Sequence, residues 1–219
     1  MVEISTSILS IKKEDLIPVI YNLEVGRTDY FHIDVMDGKF VKNNTNESMQ
    51  EYCSSIKLIS NTPLDIHLMV EEPITYINAF IPFNPNIITI HYESFNDKKE
   101  LINTINYIKN NNIKVGLAIK PDTPLKEIYE FTNLIHMVLI MTVEPGKGGQ
   151  KLIEHTIEKV KNMKKYLKDE NIDIDIEVDG GINTENVGKL KDAGANIIVA
   201  GTSIINSKDY RETINKLKE

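Results

Sequence analysis

Eight times along the chain, a short run of β-branched and aliphatic residues gives way to a longer stretch with helical periodicity. The strand candidates are Val2–Leu9, Asp29–Met36, Pro63–Met69, Asn86–His91, Lys114–Ile119, Met137–Val143, Ile174–Val178 and Ile197–Gly201. Between them, apolar residues recur at helical spacing, as Leu16, Ile17, Ile20 and Leu23 do in Lys13–Leu23. Further helices are expected over Ser48–Ile59, Ile74–Phe80, Asp97–Asn110, Leu152–Glu170, Thr184–Ala193 and Lys208–Leu217. Another is expected to open at Thr123-Pro124, with Thr123 as its N-cap and Pro124 in its first turn. Antiparallel neighbours need only a tight turn, whereas parallel neighbours need a crossover, so this alternation argues for parallel strands. A single-domain (β/α)8 TIM barrel over residues 1–219 is the expected fold, and 219 residues suit it. An open doubly wound sheet is the rival, but no dinucleotide-type glycine fingerprint follows the first strand.

Charge and cysteine content narrow the function. The net charge is −7 with no long basic run, which argues against bulk electrostatic binding of nucleic acid. Cys53 is the single cysteine, so there is no internal disulfide, and a reducing compartment fits. The N-terminal residues lack a secretory pattern, and no apolar run is long enough to span a bilayer. A cytoplasmic protein acting on a small molecule, with neither nucleic acid nor membrane as partner, is expected.

The strand ends carry the chemistry. In Phe31–Phe40, FHIDVMDGKF, alternation puts His32, Asp34 and Met36 on one face and Ile33 and Val35 on the other, before a turn at Asp37-Gly38. PLDIHLMV repeats the pattern with Asp65, His67 and Met69, and IDIDIEVDGGIN puts Glu177 and Asp179 on one face. In a barrel, His32, Asp34, His67 and Asp179 all fall at the C-terminal ends of strands, where such folds place their sites. Two imidazoles and two carboxylates can hold a divalent metal such as zinc, iron, manganese or cobalt. A lone buried histidine is also a common core residue, so the pattern alone leaves both readings open. Asp34 and Asp179 can also act as an acid–base pair across a substrate carbon, although Asp179 could simply hold the Gly180-Gly181 turn. Met36, Met69 and Met141 read as core filler or as a soft floor beneath a substrate, and His91 can reach the mouth from the fourth strand. His136 and His155 read as structural or exposed.

Glycines mark an anion cradle. VEPGKGGQ follows the sixth strand, GGIN the seventh, and AGTSI closes the eighth. Such loops expose backbone N–H groups with little steric bulk, and barrels commonly bind phosphate after strands seven and eight.

Taken in order, SILS at Ser7–Ser10, HIDVMDGKFV, PLDIHLMV, TIHYE, MTVEPGKGGQ, VDGGIN and AGTSI resemble the ribulose-phosphate 3-epimerase family over nearly the whole chain. That family is a (β/α)8 barrel interconverting D-ribulose 5-phosphate and D-xylulose 5-phosphate through a cis-enediolate. The resemblance implies one divalent metal held by His32, Asp34, His67 and Asp179, with Asp34 and Asp179 as the acid–base pair. It implies substrate contacts from Ser7 and His67, and phosphate contacts from Gly146, Lys147, Gly148, Gly149, Gly180, Gly181, Gly201 and Thr202. A homo-oligomer is expected as well. The chain departs from the family pattern at Lys42 in the second loop, at Lys147 where phenylalanine is usual, and at Thr202 where serine is usual. The GTS ending and DYFHID also resemble the D-allulose 6-phosphate 3-epimerase branch, which acts on a ketohexose phosphate. A more distant alternative is a phosphate-binding barrel lyase or synthase, for which Lys120 is the one Schiff-base candidate.

Overall fold

Every run read as a strand is a strand in the computed structural model, which describes residues 1–219. They are β1 (Glu3–Ser7), β2 (Tyr30–Met36), β3 (Leu64–Met69), β4 (Ile87–His91), β5 (Lys114–Ile119), β6 (Met137–Met141), β7 (Asp175–Asp179) and β8 (Ile197–Ala200). All pair in parallel and in chain order, and β1 pairs with β8 to close the ring. The helices are α1 (Leu16–Val25), α2 (Asn46–Ile59), α3 (Pro73–Phe80), α4 (Lys98–Asn110), α5 (His155–Asp169), α6 (Val187–Ala193), α7 (Thr202–Ile205) and α8 (Tyr210–Lys218). No helix is long and apolar enough to cross a membrane.

Strand alternation divides the buried residues into two sets. Ile4, Ile33, Ile66, Ile88, Val138, Ile176 and Ile198 belong to the large apolar cluster that also contains helix residues such as Ile20, Ile56, Ile105 and Val160. Each such side chain taken fully out of water contributes roughly 1.5–3 kcal/mol. The other parity forms a second, smaller apolar cluster containing Ala118, Met137, Leu139, Met141 and Ile197, from β5, β6 and β8. On β1 to β4 and β7 that parity is mostly polar: Ser5, Ser7, His32, Asp34, Asp65, His67, Thr89, His91 and Glu177 are all buried, with Met36, Met69 and Ile87 the apolar members. Gly116 of β5 makes room between the two kinds of surface, since a Cβ there would collide with Oγ1 of Thr89.

Three connections differ from expectation. No α-helix opens at Thr123-Pro124; two 3-10 segments, Leu125–Glu127 and Tyr129–Leu134, bridge β5 and β6 instead. The Thr123 hydroxyl donates to Glu93, so it caps no helix, and Pro124 is extended with φ −64° and ψ 140°. The helix after β6 starts at His155, later than expected, because the Ile153 N–H is tied to the Thr142 carbonyl at 2.8 Å. The helix after β7 starts at Val187, because the Asn183 side chain accepts from the N–H groups of Glu185 and Asn186 and forms a turn first. Gly194 closes α6 with φ +109°, the left-handed end that glycine favours.

Candidate active site

The β2–β3 register does most of the assembly. It sets His32 opposite Asp65 and Asp34 opposite His67, while β7 ends at Asp179. His32 Nε2 lies 3.5 Å from Asp34 Oδ1 and 3.8 Å from Asp179 Oδ2. His67 Nδ1 lies 3.6 Å from Asp34 Oδ1 and 3.5 Å from Asp179 Oδ2. These separations exceed hydrogen-bond length, and both ring nitrogens are buried without a hydrogen-bond partner. Unpartnered buried polar atoms are costly, so the donor set calls for something at its centre. Donors on a tetrahedral ion with bonds of about 2.1 Å stand roughly 3.4 Å apart, close to this spacing. The cluster His32, Asp34, His67 and Asp179 could therefore hold a metal ion, and its chemistry and spacing fit one.

Three of the four donors are oriented from behind. His32 Nδ1 is 2.6 Å from Asp65 Oδ2, which also accepts from the Ser5 hydroxyl at 2.7 Å. The Ser7 hydroxyl donates to Asp34 Oδ2 at 2.7 Å, leaving Oδ1 for the centre. His67 Nε2 is 2.9 Å from His91 Nε2. Burial works against a proton on His32, but Asp65 and then Asp34 outweigh it and raise its pKa well above the ordinary value. Burial would raise Asp34, but His32 and His67 pull it far below the usual carboxylate range. His91 is pushed down to about 4, chiefly by burial. Burial works to raise Glu93, but hydrogen bonds from His91, Thr123 and the Lys120 N–H hold it at about 2. Glu177 lies deeper, beneath His32, with neither carboxyl oxygen hydrogen-bonded; burial and then Asp65 raise it well above the carboxylate range.

A cavity of about 370 Å³ opens above the cluster. Its wall includes Ser7, Asp34 and Asp179, with Met36, Met69 and Met141, and also Gly146, Lys147, Gly148, Gly149, Gly180, Gly181, Gly201 and Thr202. His32 and His67 lie behind this wall, fully buried. Gly181 has φ +70°, and a Cβ there would collide with the backbone at Leu152, so glycine is required on two grounds. α7 begins at Thr202, and its first N–H groups have no acceptor within the helix. The β2 loop reaches across, with Asn43 Nδ2 donating to the Gly146 carbonyl at 2.7 Å.

All the candidate residues thus gather at one mouth. Lys120 is engaged elsewhere: its Nζ sits 4.1 Å from the centre of the Phe40 ring. His136 accepts from the Val115 N–H, and His155 is exposed beside Asp122. Sequence pattern alone gives no role to Asp65, Glu177 or Glu93. The alternation that singled out His32 and His67 also placed Asp65 and Glu177 on the inner face, but Glu93 lies beyond β4 in a 3-10 turn with no periodicity to mark it.

Fold and site define the class: a (β/α)8 barrel with two carboxylates and two buried imidazoles gathered at its strand ends, a set that could hold a metal ion. Comparison with known proteins makes this particular. Residues 3–205 match the ribulose-phosphate 3-epimerase family. The ribulose-phosphate 3-epimerase of Bacillus subtilis is 37% identical over 219 residues, covering 100% of this chain and 99% of that protein. The chloroplastic ribulose-5-phosphate-3-epimerase of Arabidopsis thaliana is 36% identical over 215 residues, covering 98% of this chain and 75% of that one. Among solved structures, a 3-hexulose-6-phosphate synthase superposes with a TM-score of 0.73 at 12% identity, covering 99% of this chain and 98% of the other, a likeness of fold alone. The chain belongs to the ribulose-phosphate 3-epimerase family, and as an epimerase it is an isomerase.

Proposed function

We propose that the chain is a metal-dependent ribulose-phosphate 3-epimerase interconverting D-ribulose 5-phosphate and D-xylulose 5-phosphate. The observation that carries this reading is the pair Asp34 and Asp179. Their oxygens come within 4.8 Å of each other and of two buried imidazole nitrogens, beside a glycine-lined cavity. Inverting C3 means taking a proton from one face and returning one to the other. One carboxylate starts ionised and takes the C3 proton; the other starts protonated and delivers its own from the far side. The C2 carbonyl acidifies that proton, and its loss leaves a planar cis-enediolate open to either face. The roles exchange with reaction direction.

His32, Asp34, His67 and Asp179 are the residues that would hold the cofactor, a divalent ion of zinc, iron, manganese or cobalt. When bound, such an ion supplies the positive charge that stabilises the negative charge spreading onto the C2 oxygen. Ser7 contacts the sugar in this reading; His67, expected from the sequence to do the same, is fully buried behind the cavity wall and is left to the metal. The phosphate sits against Gly146, Lys147, Gly148, Gly149, Gly180, Gly181, Gly201 and Thr202, where backbone N–H groups offset its charge and Lys147 adds a cation.

The test is a panel of ketopentose and ketohexose phosphates assayed on protein purified without chelator, with metal measured by elemental analysis. About one divalent ion per chain is expected. Ribulose 5-phosphate should exceed D-allulose 6-phosphate in kcat/KM by roughly 10-fold or more. Full activity after complete chelation, or preference for the ketohexose, would contradict the reading.

A further inference from the structure

Each metal-facing imidazole must present a bare nitrogen to the centre, and a neutral imidazole carries one hydrogen to dispose of. For His32 the solution is direct: Asp65 Oδ2, 2.6 Å from Nδ1, accepts it and frees Nε2. His67 has no carboxylate behind it. Its Nε2 meets another ring nitrogen, His91 Nε2, at 2.9 Å, and either could be the donor.

We propose that His91 and Glu93 form a relay that sets the tautomer of His67, keeping its hydrogen on Nε2 and its Nδ1 lone pair turned to the centre. The sense of the relay is fixed at its outer end. Glu93 Oε1 accepts from the Lys120 backbone N–H at 2.7 Å, a group that can only donate, and from the Thr123 hydroxyl. Those donors, with His91, keep Glu93 ionised, so its other oxygen is an acceptor too, and Oε2 lies 3.1 Å from His91 Nδ1. His91 places its hydrogen there, which leaves its Nε2 as an acceptor, and His67 Nε2 must donate to it. Nδ1 of His67 is left bare, 3.5 Å from Asp179 Oδ2 and 3.6 Å from Asp34 Oδ1, and it has no hydrogen-bond partner. Packing holds the two rings in register: they stack with centroids 5.0 Å apart at 22°, and Phe40 tilts onto His91 with centroids 4.9 Å apart. His91 and Glu93 are positioning residues, acting on the centre through His67. Partners of this kind behind a metal-ligating histidine typically matter about 10–100-fold in metal affinity. The inference rests on the metal reading proposed above.

Glu93→Gln tests it with almost no change of shape. The Lys120 N–H pins the amide oxygen, so the NH2 group meets His91 Nδ1, and every hydrogen along the relay reverses until His67 carries its own on Nδ1. Two readouts apply: imidazole nitrogen NMR on metal-free protein, at a pH where both rings are neutral, and zinc affinity by chelator competition. The wild type should show hydrogen on Nε2 of His67 and Nδ1 of His91. The variant should show the reverse and bind zinc about 10–100-fold more weakly. Thr123→Val keeps the Lys120 anchor and should leave both readouts as they are. Reversed hydrogens in the wild type overturn the relay without reference to any variant, and so does a folded Glu93→Gln chain with unchanged tautomers and zinc affinity. A wild type with the assigned hydrogens but no zinc binding overturns the metal reading and leaves the relay standing.

Discussion

Asp34 and Asp179 differ in their support although they face the same centre. Both are flanked by the same two imidazoles, but Asp34 is also held by the Ser7 hydroxyl, whereas Asp179 is more open to the cavity. If both shuttle protons, neutralising either one stops the exchange whichever direction is assayed. Asp34→Asn and Asp179→Asn should each lower kcat by roughly 10²- to 10⁴-fold, the range for a positioned acid or base. Metal content must be measured on each variant, because both side chains also belong to the donor set. A variant that keeps its metal and loses less than tenfold would remove that residue from the proton path. At this scale the sequence was legible wherever strand alternation applied, since a period of two tells which side chains share a face with His32. It did not tell depth. Asp65 and Glu177 have the same parity as His67 and Asp179 but lie nearer the bottom of the barrel, so Asp65 serves His32 from beneath while Glu177 meets no partner at all.

Among the elements, the strands could be read closely and the connections less so. Strand positions follow from apolar runs that any barrel must bury. Helix starts depend instead on which side chain captures the first free N–H groups, a local competition that spacing does not reveal. Asn183 delayed α6, and Glu93 took the Thr123 hydroxyl that would have capped a helix after β5. The loop after β7 gives the sharpest test at this scale. Gly181 lies at φ +70° with the Leu152 backbone where a Cβ would go. Gly181→Ala must therefore push apart the loops after β6 and β7, both of which line the cavity. It should raise KM for the sugar phosphate severalfold or more and lower thermal stability, in line with a cost of order 1–3 kcal/mol for a side chain forced into such backbone. An unchanged KM would move the phosphate away from this loop.

At the scale of the molecule, closing the ring is what makes a site from distant segments. β2 and β7 are separated by long sequence but by only β1 and β8 around the barrel, so their ends stand across a shared mouth. Packing is divided accordingly: an interior that is apolar on β5, β6 and β8, and one that is mostly polar on β1 to β4 and β7 and carries the donor set. The central claim is that two carboxylates on opposite sides of C3 exchange protons with it. Turnover of ribulose 5-phosphate in deuterated water tests this most directly, with the xylulose 5-phosphate product examined at C3 by NMR or mass spectrometry before appreciable back-reaction. Because the group that removes the proton is not the group that returns one, each product molecule should carry solvent deuterium at C3. Product that keeps its original hydrogen at C3, formed while both carboxyl groups exchange freely with solvent, would contradict the account.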